Sequence, residues 1–127
     1  MKPNGSENPE VAEVGLAFAR ALAERRFDDA HEMLAPSLRD DLQPRDLREN
    51  YELMTGYWSA PAQRVTDVYV EPAWSEWPGK EQNDLGWAYV SLESPTPEGG
   101  VNLEAVHVRV ARVSNRKVVA QIEWGRP

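Results

Sequence analysis

Residues 101–113 read Val-Asn-Leu-Glu-Ala-Val-His-Val-Arg-Val-Ala-Arg-Val. Val106, Val108 and Val110 alternate with His107 and Arg109. This period of two belongs to a strand with one buried face. Working outward, three more segments alternate: Lys117 to Trp124, Leu85 to Glu93, and Gln63 to Trp74. Ser114-Asn115, Pro95 to Gly100 and Pro78-Gly79 supply the turns between them, and the first of these is short enough for a hairpin.

Before Gly56 the period is helical. Val11, Val14, Phe18 and Leu22 share one face of a helix expected from about Pro9 to Glu24, with Asn8 as N-cap, Pro9 in the first position and Glu10 at the positive end of the dipole. Asp28 is positioned to cap a second, shorter helix whose Phe27, Ala30 and Leu34 face one way until Pro36 stops it. Ser37 to Leu42 has room for one further turn. A third helix begins at Pro44, buries Leu47, Tyr51 and Met54, and ends at Gly56. The expected fold is therefore α+β: three N-terminal helices packed on a bent four-stranded antiparallel sheet. Residues 1–7 form a polar tail expected to be disordered, and 8–127 a single domain.

Alternation also divides the sheet into faces. One carries Val68, Val70, Ala88, Val90, Leu92, Val106, Val108, Val110, Val118, Ala120, Ile122 and Trp124, an aliphatic surface for the helices to cover. The other carries Asp67, Tyr69, Glu71, Trp87, Tyr89, His107, Arg109, Gln121 and Glu123. Tyr, Trp and Arg are enriched in binding hot spots, so Tyr69, Trp87, Tyr89, His107, Arg109 and Gln121 are candidates for a two-fold homodimer face. Cross-strand aromatic pairing on an exposed sheet would need no partner.

Composition sets the limits. The chain has 127 residues, no cysteine, two histidines, five tryptophans and a net charge of -7. Disulfides, thiol chemistry and cysteine-bound metals are excluded, and nucleic acid is an unfavourable partner for so acidic a surface. No acidic run has metal-loop spacing, and no glycine-rich loop opens a helix as a nucleotide site would, so no metal and no cofactor is expected. No apolar run approaches the roughly 18 residues a membrane span needs. With no leader-like start either, a cytoplasmic protein is the simplest expectation.

The order of elements resembles the nuclear transport factor 2-like superfamily, above all its small bacterial members. Within it the likeness is carried by Arg25-Arg26-Phe27-Asp28-Asp29-Ala30-His31-Glu32-Met33-Leu34-Ala35-Pro36. It covers about Asn8 to Trp124, and its motifs encode packing rather than chemistry. The resemblance implies a cone with a pocket between sheet and helices, and frequent homodimers. Its members range from ketosteroid isomerases, dehydratases and cyclases to transport adaptors and plain ligand-binding domains, so fold alone does not select a function.

Tyr51, Met54, Tyr57, Trp58, Trp74 and Trp124 are candidates to line that pocket around a small apolar ligand, or else to plug it. His31 reads as a solvated or helix-capping histidine, and the doublets Asp28-Asp29 and Asp40-Asp41 as caps and solvated charges. Glu71 to Asp84, with Trp74 and Trp77, reads either as a recognition hairpin for a basic partner or as a strand extension packed over the sheet edge. The expectation is a non-catalytic, homodimeric small-molecule- or protein-binding module. The competing class is an isomerase, dehydratase or cyclase acting on a small apolar substrate.

Overall fold

The computed structural model describes residues 9–70 and 83–125. It is an α+β fold with helices α1 (Pro9–Ala23), α2 (Phe27–Glu32), α3 (Pro36–Asp41) and α4 (Pro44–Thr55). Strands β1 (Arg64–Val70), β2 (Asp84–Pro95), β3 (Val101–Val113) and β4 (Arg116–Trp124) follow. They form one antiparallel sheet in the order β1-β2-β3-β4. The tail at residues 1–7, the Asn8 cap, and Trp74 and Trp77 lie outside the described residues.

Four helices appear where three were expected, because the turn after Pro36 becomes a helix of its own. Proline suits a first helical position, and Ala35 before it is extended, as a residue preceding proline prefers. Asp28 does not cap α2. The helix starts one residue earlier at Phe27, with Arg26 at the N-cap, so Asp28 and Asp29 occupy the first turn and favour the dipole instead. In α4 the Gln43 backbone N–H donates to the Asp46 carboxylate at 2.8 Å, completing a capping box.

Helix α1 lies against β2. Val11, Phe18 and Leu22 are fully buried as the spacing required, and Val14 is only half-buried. Gly15 takes the position nearest the sheet, where an added Cβ would sit 2.7 Å from the Ala88 Cβ and 3.3 Å from Val90 Cγ2. The missing side chain is what lets the helix axis approach. Ala88, Val90, Leu92, Val106, Val108 and Val110 are all fully buried beneath it. Each large side chain in this layer contributes about 1.5–3 kcal/mol on burial.

One part of the face assignment is corrected. The β3–β4 register shifts after Arg109↔Gln121, so Val110 lies opposite Val119 and Ala111 opposite Val118. Val119 therefore joins the helix-facing cluster, while Val118, also buried, pairs with Ala111 on the opposite face, and Ala120 is half-buried at the shift. The extra residue in β4 is a β-bulge, which reverses the alternation on its far side. The outer edge of β4 is also covered. The Ala35 N–H donates to the Val119 carbonyl, and the Val119 N–H donates to the Met33 carbonyl, each at 2.8 Å, so Leu34 forms a short parallel bridge. Ser114 and Asn115 both have positive φ, as a two-residue hairpin requires. No helix among the described residues is long and apolar enough to cross a membrane.

Candidate functional site

Two regions bring candidate residues together. The first is the outer face of the sheet. Trp87, Arg109 and Gln121 form one cross-strand row, and Tyr89, His107 and Glu123 the next. The His107 ring centroid lies 4.6 Å from that of Trp87 and 5.9 Å from that of Tyr89, and its Nδ1 is 3.4 Å from Glu123 Oε1. Arg109 forms an ion pair with Asp84 and donates from Nε to Gln121 Oε1 at 3.2 Å. Five of the six expected residues therefore share this face. Tyr69 lies opposite Tyr89 in the register, and its side chain is outside the described residues.

Asp84 was not singled out in the sequence. A bulge between Asp84 and Gly86 turns its carboxylate toward Arg109. Exposure falls across the face, from 56% for the Glu123 side chain to 18% for Arg109 and 0% for Asp84. The Asp84 end is thus closed within one chain, and the Glu123 end is open. Val101 and Leu103 continue the same alternation along β3 and are 55% and 37% exposed, so the open end carries apolar surface as well.

The second region surrounds α4. A recess of about 330 Å³ is lined by Ala23, Arg25, Tyr51, Thr55, Trp58 and the segment from Ser59 to Ala62. Local folding sets each wall. Arg25 has a φ of 60°, and the Arg26 N–H closes back on the Ala21 carbonyl at 2.7 Å, which ends α1 and presents Arg25 at the rim. The Arg25 guanidinium is ion-paired with Glu52 and lies 5.5 Å from the Phe27 ring centroid. Tyr51, 4% exposed, packs its ring 6.0 Å from that of Phe27. Burial raises the phenol above its ordinary pKa, and the Arg25 charge opposes that shift. The Trp58 backbone N–H donates to the Thr55 carbonyl at 2.9 Å, but its indole Nε1 is buried with no hydrogen-bond partner among the described residues. Ser94, fully buried on β2, donates to the Ala60 carbonyl at 2.7 Å and holds the recess floor to the sheet.

A wider, shallower groove of about 800 Å³ lies on the other side of α4. It is lined by Asn50, Leu53, Met54, Tyr89, Glu104, Trp124 and Gly125. The pocket candidates are thus divided. Tyr51 and Trp58 line the recess, and Met54 and Trp124 line the groove. Tyr57 is exposed on the rim, where its hydroxyl donates to Glu104 Oε2 at 2.7 Å. Trp74 lies outside the described residues. Asn50, Leu53 and Glu104 carried no sequence signal for such a role.

The remaining candidates have structural partners. His31 donates from Nε2 to the Arg39 carbonyl at 3.1 Å, tying α2 to α3. Asp29 accepts from Arg26 at 2.9 Å. Among the described residues, no group of three or more His, Asp or Glu side chains could hold a metal ion.

Comparison with known proteins returns no matching family model, no matching curated protein and no matching solved structure.

Proposed function

We propose that this chain is a non-catalytic small-molecule-binding module of the nuclear transport factor 2-like type, paired with a second copy through the outer face of its sheet. The observation that carries the binding reading is where the candidate side chains sit. Tyr51, Trp58, Met54 and Trp124 line two cavities beside α4, while the space between α1 and the sheet is filled by Phe18 and aliphatic side chains. The recess has the mainly apolar walls and few convergent polar groups typical of small-molecule sites. Among the described residues, its ionisable lining is Arg25 and Tyr51. Neither acts as a general base near neutral pH, which supports binding over acid–base catalysis.

The second copy fits the open end of the outer face. Tyr89, His107, Leu103 and Val101 supply apolar area there, and the exposed Gln121 and Glu123 border it with polar groups, the apolar centre and polar margin of a two-fold contact. Saturation-transfer NMR with a set of small aromatic and aliphatic compounds tests the binding reading. Compounds that bind the wild type should be lost from Ala62→Phe, which fills the recess. Binders indifferent to that substitution, or no binders at all, would contradict it.

A further inference from the structure

The recess beside Trp58 offers donors without matching acceptors, and this points to the chemistry of its occupant. Resting on the binding reading above, we propose that it takes a small molecule with an aromatic or branched aliphatic body and one hydrogen-bond acceptor group, a carboxylate in preference to a neutral carbonyl.

Three groups carry the inference. The Trp58 indole is a donor only, and its Nε1 is buried without a partner. A protein interior rarely leaves such a group unmade, and a ligand acceptor that met it as the Trp58 ring turned toward the recess would satisfy it. The Tyr51 side chain is almost wholly buried in the recess wall, and its hydroxyl forms no hydrogen bond to another described residue. Because burial holds this phenol neutral, it keeps a proton to donate. Arg25 is the third. A guanidinium has five N–H donors and no acceptor, and Glu52 engages only NH2 of this one.

Acceptors are scarce by comparison. Among the described residues no carboxylate lines the recess, which leaves the hydroxyls of Tyr51, Thr55 and Ser59 as its side-chain acceptors. A cationic ligand would lose its hydration and meet Arg25. The body of the ligand would lie against Ala23, Ala60, Pro61 and Ala62. The volume is near the lower end of the range for small-molecule sites, about 300–1,000 Å³, which favours a single-ring or short branched molecule.

The test uses the full chain with nitrogen-15 in its five tryptophan indoles. It is titrated separately with phenylacetate, phenylacetamide, 2-phenylethylamine and toluene. Trp58→Phe assigns one indole resonance by removing it. Phenylacetate should move that resonance, phenylacetamide should move it at higher concentration, and the amine should leave it unchanged. Trp58→Phe and Tyr51→Phe should each weaken phenylacetate binding about fivefold, the effect of one hydrogen bond. Arg25→Gln should remove the preference for phenylacetate over phenylacetamide. If toluene or the amine binds as tightly as phenylacetate, or Trp58→Phe leaves phenylacetate binding unchanged, the acceptor class is wrong and the binding reading stands. If none of the four moves any indole resonance at millimolar concentration, both fail.

Discussion

On the inner face of the sheet, Ala88, Val90, Val106 and Val108 are fully buried against α1 and the other helices. On the outer face, at alternate positions of the same strands, Trp87, Tyr89, His107 and Arg109 are only half-buried. They are held by ring contacts and hydrogen-bonded charges. The inner face stabilises by volume, with side chains that make no directional demand, and it tolerates no gap. The outer face depends on pairs, and each polar member costs stability when its partner is removed. The first is sufficient to define a fold. The second is an expensive way to finish a surface unless the surface is used.

This comparison can be broken at several points. Phe18→Ala, on the inner side, should cost about 3–5 kcal/mol in urea unfolding, the largest effect expected here. Asp84→Ala should cost about 3 kcal/mol, because it leaves Arg109 with an unmatched charge where a carboxylate was fully buried. The double substitution Asp84→Leu with Arg109→Met should recover most of that loss. If it does not, the outer face is held by packing as the inner one is. Gly15→Ala should cost about 1–3 kcal/mol by pushing α1 off β2. The cost should shrink in the Ala88→Gly background, and additive effects would show that the close approach is not the cause.

The smallest effect concerns Tyr51. Its pKa in the folded chain lies above the ordinary 10.0 because burial disfavours the phenolate. The unfolded chain therefore ionises first. The stabilisation is complete below the unfolded value and is lost as pH rises through the folded one. Stability of the wild type relative to Tyr51→Phe should fall above about pH 10, and a pH-independent difference would sink the assignment.

Much of the fold was legible because periodicity is a local property. β3 is bounded correctly by its alternation between the turn signals at Pro95 to Gly100 and Ser114-Asn115, and α4 by Pro44 and its buried Leu47 and Tyr51. What was not legible depends on single residues with no period. The bulge in β4 passes unnoticed because Val118 and Val119 are both apolar, so the sequence looks the same in either register. The Leu34 bridge to Val119 is one residue long. The pairing of Asp84 with Arg109 and of Ser94 with the Ala60 carbonyl joins residues far apart in the chain. For the candidate site, alternation grouped Trp87, Tyr89, His107, Arg109 and Gln121. It could not separate Tyr51 and Trp58 from Met54 and Trp124, because which side of α4 a side chain reaches is decided by tertiary packing.

The claim that the outer face is used by a second copy is tested most directly by light scattering on the wild type and on Leu103→Glu, an exposed position at the open end of that face. The account predicts a wild-type mass of twice 14.3 kDa and a single-chain mass for the variant with its helical content intact. A wild type that stays at 14.3 kDa well above micromolar concentration, or a variant that remains paired, would contradict it.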